Sequence, residues 1–293
     1  MYKSLNEYLK ERFGTKVYKI ALSSGCTCPN RDGTVGVGGC IFCTDTGSGD
    51  FAQEAELPIR EQIKYAKERV AAKNKGGKYI AYFQSFTNTY GSVEFLEPKF
   101  REALADEDVV ALSVATRPDC LPEDILQMLA GLNAVKPVWV ELGLQTIHEG
   151  TADYIRRGYP LEVYDKAVQD LHAIGVEVIT HVIIGLPGET KEDMLETVRY
   201  VVQSKSRGIK LQLLHVMEGT DLACDYRAGK FQTLEMQEYI SIIKECVALI
   251  PPEMVIHRLT GDGNKKKLIA PLWSGDKKKV LNALHKALSV EEK

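Results

Sequence analysis

The sequence has no long apolar run, and none of its apolar stretches approaches the roughly 18 residues that a membrane-spanning helix needs. The first residues, MYKSLNEYLKERFG, are charged and amphipathic, which is not the pattern of a signal peptide. Internal repeats and low-complexity stretches are also missing. We therefore expect a soluble cytoplasmic protein with no membrane partner, whose 293 residues form one large domain or a barrel with a small appendage.

The sequence also lacks the two short-spaced cysteine pairs that are usual in a structural zinc site. Three of its seven cysteines, Cys28, Cys40 and Cys43, lie in the segment CPNRDGTVGVGGCIFC, with eleven and then two residues between them. In a cytoplasmic protein such a cluster binds a metal more often than it forms disulfides. Three thiolates can hold a [4Fe–4S] cluster and leave its fourth iron open, whereas a fourth ligand, Cys26, would close the site. The spacing alone leaves an open cluster, a zinc site and buried free thiols as alternatives.

Short apolar runs alternate with amphipathic segments over residues 16–220. The apolar runs predict strands at Lys16–Leu22, Lys78–Gln84, Val109–Ala115, Val138–Gly143, Glu177–Gly185 and Ile209–Val216. The segments between them predict helices at Ile59–Lys73, Leu96–Ala105, Pro122–Leu132, Ile147–Arg157, Leu161–Ile174 and Lys191–Ser204. This alternation is typical of βαβ units in an α/β protein with a mainly parallel sheet. Six units favour a partial or full β/α barrel, with a doubly wound open sheet as the alternative.

The pattern changes after residue 220. We expect residues 1–15 to form an N-terminal helix, residues 16–220 the barrel and residues 221–293 a small C-terminal α/β extension. The extension is predicted to contain a helix, a short strand and a second helix, at Thr233–Leu249, Met254–Leu259 and Lys278–Leu288.

Charge is spread unevenly along the chain. Residues 205–293 hold 15 Lys/Arg against 11 Asp/Glu, a net charge of +4, while the rest holds 22 against 29, a net charge of −7. The C-terminal part includes the runs Lys265–Lys267 and Lys277–Lys279. This pattern indicates a phosphate-rich partner or, equally, two solvated lysine runs.

The cysteine segment resembles the signature of radical S-adenosylmethionine (SAM) enzymes of the group around YhcC and YtqA, also called MnmL. Residues 28–34 and 38–43 carry the match, and residues 47–51 resemble the YtqA-like continuation. The radical SAM domain of the Elongator catalytic subunit is similar, because its first cysteine also lies far from the final pair. The resemblance implies a partial (βα)6 TIM-like radical SAM barrel, with a C-terminal extension that contacts the substrate. It also implies a [4Fe–4S] cluster on Cys28, Cys40 and Cys43, to which SAM binds.

The resemblance further implies which residues face SAM. They are Phe42, Gln84, Ser85, Asn88, Glu141, Gln145, Gly185 and Leu186. Each has a structural alternative, such as a loop aromatic or a polar loop without a ligand. For Glu141 a functional role is favoured, because burying an unpaired charge costs several kcal/mol. Arg117, Glu141 and Arg258 are the candidates for catalysis or for holding a substrate carboxylate. No role follows for Cys26, Cys120 or Cys224.

The YtqA-like match implies a tRNA substrate. Proteins of that group are associated with the wobble uridine and with conversion of its 5-carboxymethylaminomethyl(-2-thio) form to the 5-aminomethyl(-2-thio) form. The implied partners are the anticodon loop of tRNA, an electron donor such as a flavodoxin or ferredoxin, and a downstream tRNA methyltransferase. Two other classes stay open: a radical SAM enzyme acting on a small metabolite or a protein, and a non-catalytic zinc-binding module.

Overall fold

The computed structural model of the chain describes residues 2–47, 52–261 and 263–289, so most of the continuation at 47–51 lies outside the described residues. The strands are β1 Lys3–Ser4, β2 Val17–Leu22, β3 Lys78–Phe83, β4 Val109–Thr116, β5 Val138–Gln145, β6 Glu177–Ile184, β7 Gly208–Leu213, β8 Val216–Met217, β9 Val255–Arg258 and β10 Leu268–Ala270. The α-helices are α1 Leu5–Phe13, α2 Ile59–Val70, α3 Val93–Ala105, α4 Glu123–Asn133, α5 Glu149–Tyr154, α6 Leu161–Ala173, α7 Lys191–Gln203, α8 Asp221–Arg227, α9 Met236–Leu249 and α10 Lys277–Ser289. None of the helices described here is long and apolar enough to span a membrane.

Eight strands form one parallel sheet in the order β1-β9-β7-β6-β5-β4-β3-β2. From β2 to β7 each strand pairs with the next one in the chain, and the order never reverses. A doubly wound sheet reverses its strand order at a switch point, whereas an unbroken order is that of a β/α barrel. The predicted α/β partial barrel is therefore confirmed, and β1 and β2 border its open seam.

The sheet is two strands wider than the six units predicted from the sequence. Strand β9, expected as the short strand at Met254–Leu259, pairs with β7, and β1 pairs with β9 in turn. The N-terminal segment predicted as a helix thus contributes a two-residue strand before α1. Residues on both sides of position 220 share one sheet, and the division at that position stays a prediction.

Two segments differ from their predicted bounds. Helix α5 is shorter than the expected 147–157, because Arg156 adopts φ 56° and the left-handed conformation ends the helix. The sixth predicted strand, 209–216, is split: the chain leaves the sheet after Leu213, and β8 pairs in antiparallel fashion with β10. Helix α7 begins after Thr190, whose side chain forms a capping box with Asp193.

The inner face of the sheet is apolar at the amino ends of the strands, where α1 closes it. Alternate strand residues point inwards and pack against two residues of α1 in one buried cluster: Val17, Ile80, Ala111, Trp139, Ile179 and Val255 with Tyr8 and Leu9. Helices α2, α3, α4, α6 and α7 pack on the outer face. The interior therefore opens only towards the carboxyl ends of the described strands and through the seam.

The start of β7 leaves no room for a side chain. A Cβ at Gly208 would lie 2.7 Å from His257 Nε2 and 3.0 Å from the carbonyl oxygen of Val255. We expect Gly208→Ala to lower the free energy of unfolding by about 1–3 kcal/mol, because the sheet must shift. Urea unfolding measures this. The control is Gly131→Ala in α4, where a Cβ would have no atom within 4 Å apart from the neighbouring residues and backbone of its own helix. There the free energy of unfolding is expected to rise by up to about 1 kcal/mol, and equal effects at both sites would contradict the packing at Gly208.

Candidate functional site

The cysteine loop follows β2 and lies across the carboxyl ends of the strands. Cys28, Cys40 and Cys43 all line one cavity there. The Gly39 N–H donates to the carbonyl oxygen of Asn30 at 2.7 Å, which fixes the fold of the loop. Gly39 has φ 90°, and a Cβ there would lie 3.0 Å from the guanidinium of Arg31, so this close approach requires glycine. The loop brings the three predicted ligands to one space.

The surroundings of Cys40 favour a thiolate. A hydrogen bond from Cys43 lowers the pKa of Cys40 to about 7, and the charge of Arg117 acts in the same direction. The side-chain amide of Asn30 also contributes, with Nδ2 3.5 Å from Cys40 Sγ. Thiolate is the form that binds metal, and N–H donors to sulfur tune the reduction potential of an iron–sulfur cluster.

Cys26 is directed away from this cavity. It packs against the outer core, where burial raises its pKa, and it is not among the cavity-lining residues. Among the described residues, the one group of three ligand atoms within 4.8 Å of each other belongs to His148, Asp193 and Glu196. Cys28, Cys40 and Cys43 do not form such a group, although Cys40 and Cys43 are hydrogen-bonded to each other. A closed zinc site would need a fourth ligand beside them, and Cys26 does not supply it.

The residues present fit an open [4Fe–4S] cluster better than a closed zinc site. Cys28, Cys40 and Cys43 would supply three sulfur donors, and the cavity that they line would leave room for a ligand on the fourth iron. The assignment of these three residues as ligands stays a prediction.

The walls of the cavity come from the ends of β3, β4 and β5. Five of the residues predicted to face SAM line it: Phe42, Gln84, Ser85, Glu141 and Gln145. Both Ser85 and Gln145 adopt φ 70°, a strained conformation for residues other than glycine that is often found at functional sites. The Oε1 atom of Gln145 is buried without a hydrogen-bond partner. Buried acceptors are normally satisfied, so this atom fits a cavity that receives a polar ligand.

Three predicted SAM contacts do not line the cavity. Asn88 is buried and donates to the carbonyl oxygens of Ser85 and Ala115 at 3.0 Å each, while its Oδ1 accepts from Ser24 at 2.7 Å. It therefore supports the strained turn at Ser85. Gly185 and Leu186 lie in apolar packing, Gly185 against Leu234 and Leu186 in a cluster that contains Ile41. Their predicted contacts with SAM stay predictions.

Arg117 lines the cavity, and three of its five N–H donors are used. It binds both oxygens of Asp119 at 2.9 and 2.7 Å and donates to the carbonyl oxygen of Arg157 at 2.9 Å. Its guanidinium lies 5.0 Å from the ring centre of Tyr159. Arg117 thus fixes the loop beside Cys40, and its charge is already balanced by the carboxylate of Asp119.

Glu141 is fully buried at the centre of the barrel. Its Oε1 accepts from Lys19 and, at 2.7 Å, from Ser113; its Oε2 accepts from Lys210 and, at 2.7 Å, from His181. Burial opposes ionisation, but the two lysines hold the pKa of Glu141 well below its usual range. All of its acceptor positions are used, so Glu141 forms the charged floor of the cavity. The two lysines were not among the residues predicted from the sequence.

Arg258 lies outside the cysteine cavity, at the junction of two others. One shares Phe42, Gln145 and His181 with the cysteine cavity. The other, of about 730 Å³, runs along the seam and shares Tyr82 and Gln84 with the cysteine cavity. Three adjoining spaces therefore meet inside the barrel mouth.

Comparison with known proteins identifies the fold and its family. The family model described as the Radical SAM superfamily matches residues 25–201, and the one described as the Radical_SAM C-terminal domain matches residues 206–289. The protein YtqA of Bacillus subtilis is 47% identical over 287 residues, which are 98% of this chain and 89% of YtqA. A tRNA uridine(34) acetyltransferase of Methanocaldococcus jannaschii is 32% identical over 162 residues, 54% of this chain and 29% of its own length.

A solved structure shows the same fold. The archaeal Elp3 of Methanocaldococcus infernus, with an N-terminal deletion, superposes with a TM-score of 0.68 at 19% identity and covers 92% of this chain and 63% of that chain. Because the superfamily model spans more than half of the sequence and YtqA matches nearly all of it, this chain belongs to the radical SAM superfamily, in the group that contains YtqA.

Proposed function

We propose that this radical SAM enzyme acts on the wobble uridine of tRNA and converts its 5-carboxymethylaminomethyl(-2-thio) form to the 5-aminomethyl(-2-thio) form. The observation that carries the proposal is the 32% identity to a protein whose name states action on uridine 34 of tRNA. Position 34 is the wobble position, and the matched part spans 54% of this chain. The cavity arrangement is compatible with a base-sized substrate beside the cofactor.

The proposed cofactors are a [4Fe–4S] cluster on Cys28, Cys40 and Cys43 and SAM in the cavity below. When bound, they supply a 5′-deoxyadenosyl radical that removes a hydrogen atom from the substrate. The residues of the chain hold the cofactor and exclude water from it. Phe42 and Gln145 line both the cysteine cavity and its neighbour. We infer that they separate cofactor from substrate.

The proposed reaction balances with water and one-electron carriers. The methylene carbon beside the carboxylate loses a hydrogen atom to the 5′-deoxyadenosyl group. It then loses one electron to the oxidised electron carrier that had supplied the electron for SAM cleavage, and the neighbouring N–H releases a proton, which gives a C=N bond. Water adds to that carbon, and the C–N bond breaks. The amine stays on the tRNA, and the two-carbon fragment leaves as glyoxylate. A flavodoxin or ferredoxin is the proposed electron donor, and a methyltransferase is the proposed next enzyme.

A basic loop at the mouth of the barrel supports a tRNA partner. Lys265, Lys266 and Lys267 are exposed and follow Gly263, which lines the cavity that contains Arg258. The Glu218 N–H donates to the carbonyl oxygen of Lys267 at 2.7 Å and anchors the loop. Lysines bind the nucleic-acid backbone through its phosphates, so this loop can hold an anticodon stem while a single base is splayed into the barrel.

Removing the charges of this loop is expected to weaken RNA binding. The triple variant Lys265→Gln, Lys266→Gln, Lys267→Gln should bind an anticodon stem-loop at least about tenfold more weakly at low salt, with a shallower dependence on salt concentration. Fluorescence anisotropy over a salt series measures both. Replacing Lys64, Lys73 and Lys75, which are exposed and lie on α2 or before β3, is the control and should leave binding unchanged. Equal losses in both triple variants would contradict a specific RNA surface.

Deletion of the gene in its host tests the proposed function. Digested tRNA from the deletion strain should accumulate the 5-carboxymethylaminomethyl nucleoside and lack the products formed from the 5-aminomethyl form. Mass spectrometry of the nucleosides measures this, and a plasmid-borne Cys43→Ala variant should fail to restore the parental pattern. Unchanged wobble nucleosides would contradict the proposal and favour a small-molecule or protein substrate.

A further inference from the structure

The interior of the barrel carries more positive than negative charge beside the seam cavity. Four cationic side chains line that cavity. Three of them, Lys19, Lys210 and Arg258, lie close enough for their charges to interact, whereas Lys16 donates to the carbonyl oxygen of Lys73. Glu141 is the one carboxylate that contacts this group among the described residues. Buried charges are normally paired, so the surplus indicates a place for an anion.

The contacts of each cation leave room for such an anion. Lys210 is 4% exposed and contacts Glu141 and, at 3.2 Å, the hydroxyl of Tyr82, which leaves its ammonium with one further donor. Lys19 contacts Glu141 and lies 4.9 Å from the ring centre of Tyr82. No carboxylate of the described residues lies within 4 Å of the guanidinium of Arg258. Two of the three cations can therefore accept another partner.

The pKa of Lys210 agrees with an excess of positive charge at this place. Burial, together with the charges of Lys19 and Arg258, lowers the pKa of Lys210 to about 7 against the opposing effect of Glu141. An additional anion beside Lys210 would relieve this crowding of positive charge.

The three cations lie next to the cavity that is predicted to hold the cofactor, where the reacting part of a substrate would bind. Tyr82 and Gln84 line both the seam cavity and the cysteine cavity, and Arg258 also lines the space that shares His181 with the cysteine cavity. An anion held here would lie beside the predicted cofactor. Arg117, the other candidate for a carboxylate, is already bound to Asp119.

We propose that Lys210 and Arg258 form an anion subsite that holds the carboxylate of the substrate's carboxymethylamino arm, with Lys19 reinforcing its charge. This inference rests on the proposed function, since that arm supplies the carboxylate. Fixing the carboxylate also fixes the neighbouring methylene, the carbon from which hydrogen is removed. Lys210 and Arg258 are then specificity residues, which distinguish the charged arm from the product amine.

Binding of two matched RNAs tests the subsite. One anticodon stem-loop carries the carboxymethylaminomethyl uridine, and the other carries its methyl ester, which removes the negative charge and little else. The wild-type protein should bind the acid at least about tenfold more tightly than the ester. Arg258→Gln and Lys210→Gln should each reduce that ratio towards one while ester binding stays the same. A wild-type ratio near one, or a ratio that neither variant changes, would overturn the proposal.

Two controls separate a local carboxylate contact from general electrostatics and misfolding. Lys265→Gln, in the exposed basic loop, should weaken both RNAs equally and leave the ratio unchanged. Lys210→Gln breaks a buried ion pair and is expected to lower the stability of the protein. Arg258 is only half-buried and has no ion pair with the described residues, so Arg258→Gln is the decisive variant.

A small-molecule measurement makes the subsite independent of tRNA. N-methylglycine with a 13C-labelled carboxylate carries the amine and the acid of the arm. Its carboxylate signal should broaden on adding wild-type protein and not on adding Arg258→Gln. Broadening of the N-methylglycine signal without binding of either RNA would support the anion subsite and contradict the proposed tRNA function. Absence of broadening together with an acid-to-ester ratio near one would overturn the subsite whether or not RNA binds.

Discussion

Replacing Cys40 with alanine is expected to remove the brown iron–sulfur absorbance of the reconstituted protein and its ability to cleave SAM. Cys40 lines the cavity with the other two predicted ligands and is hydrogen-bonded by Asn30. Two remaining thiolates cannot hold the cluster in an open site. Because changes to outer partners alone cost roughly 10–100-fold in metal affinity or activity, we expect a loss of more than about 100-fold in 5′-deoxyadenosine formation. Anaerobic absorbance, iron content and product chromatography measure these effects.

Cys26→Ala is the matched control, since Cys26 is a neighbouring cysteine that packs on the outer core. It should keep the cluster and the activity. Asn30→Ala should keep the cluster and shift its reduction potential, because it removes one N–H donor to sulfur. Loss of the cluster in Cys26→Ala, or its survival in Cys40→Ala, would contradict the three-cysteine assignment.

Glu141→Gln is expected to lower the free energy of unfolding by about 3–5 kcal/mol, the cost of leaving a buried charge without its partner. The substitution keeps the shape of the side chain but removes the negative charge that Lys19 and Lys210 share. Urea unfolding followed by circular dichroism measures the change. The ionised carboxylate stabilises the fold above the unfolded pKa of 4.5, and this stability is lost as the pH falls through the lower folded pKa. The difference between wild type and variant should therefore shrink in acid.

Two further variants test the origin of this loss. Glu141→Gln combined with Lys210→Met should lose less stability than the sum of the single changes, because the pair interacts directly. Glu177→Gln removes a partly exposed partner of Arg12 and should cost less than about 1 kcal/mol. A loss below 1 kcal/mol in Glu141→Gln would show that the buried charges are not coupled as their contacts indicate.

The positions of the strands along the chain could be predicted from periodicity, whereas their order in the sheet could not, since a doubly wound sheet remained the alternative. Apolar runs such as Val138–Gly143 bury both faces and are bounded by polar helix starts, so their positions were predicted correctly. Strand β1 was not predicted, since two residues carry no periodicity. The short α5 was overestimated because nothing in the sequence marks the left-handed Arg156.

The three cysteines of the candidate site could be singled out by a sequence motif, whereas the residues whose contacts depend on packing could not. The three cysteines were recognised by a long signature, and their spacing alone left zinc open. Lys19 and Lys210 were missed, although each is a charge inside an apolar strand, the same signal that singled out Glu141. The partners of Arg117 and Asn88 depend on loops that meet only in the folded chain.

The most direct measurement is of the 5′-deoxyadenosine formed by the anaerobically reconstituted protein with SAM and a reductant, with and without tRNA bearing the carboxymethylaminomethyl uridine. We expect formation to depend on that tRNA and to be matched by loss of the carboxymethyl mass from the wobble nucleoside. Cleavage of SAM that ignores tRNA, with the nucleoside unchanged, would contradict the proposed substrate. Absence of both cluster and cleavage would contradict the radical chemistry itself.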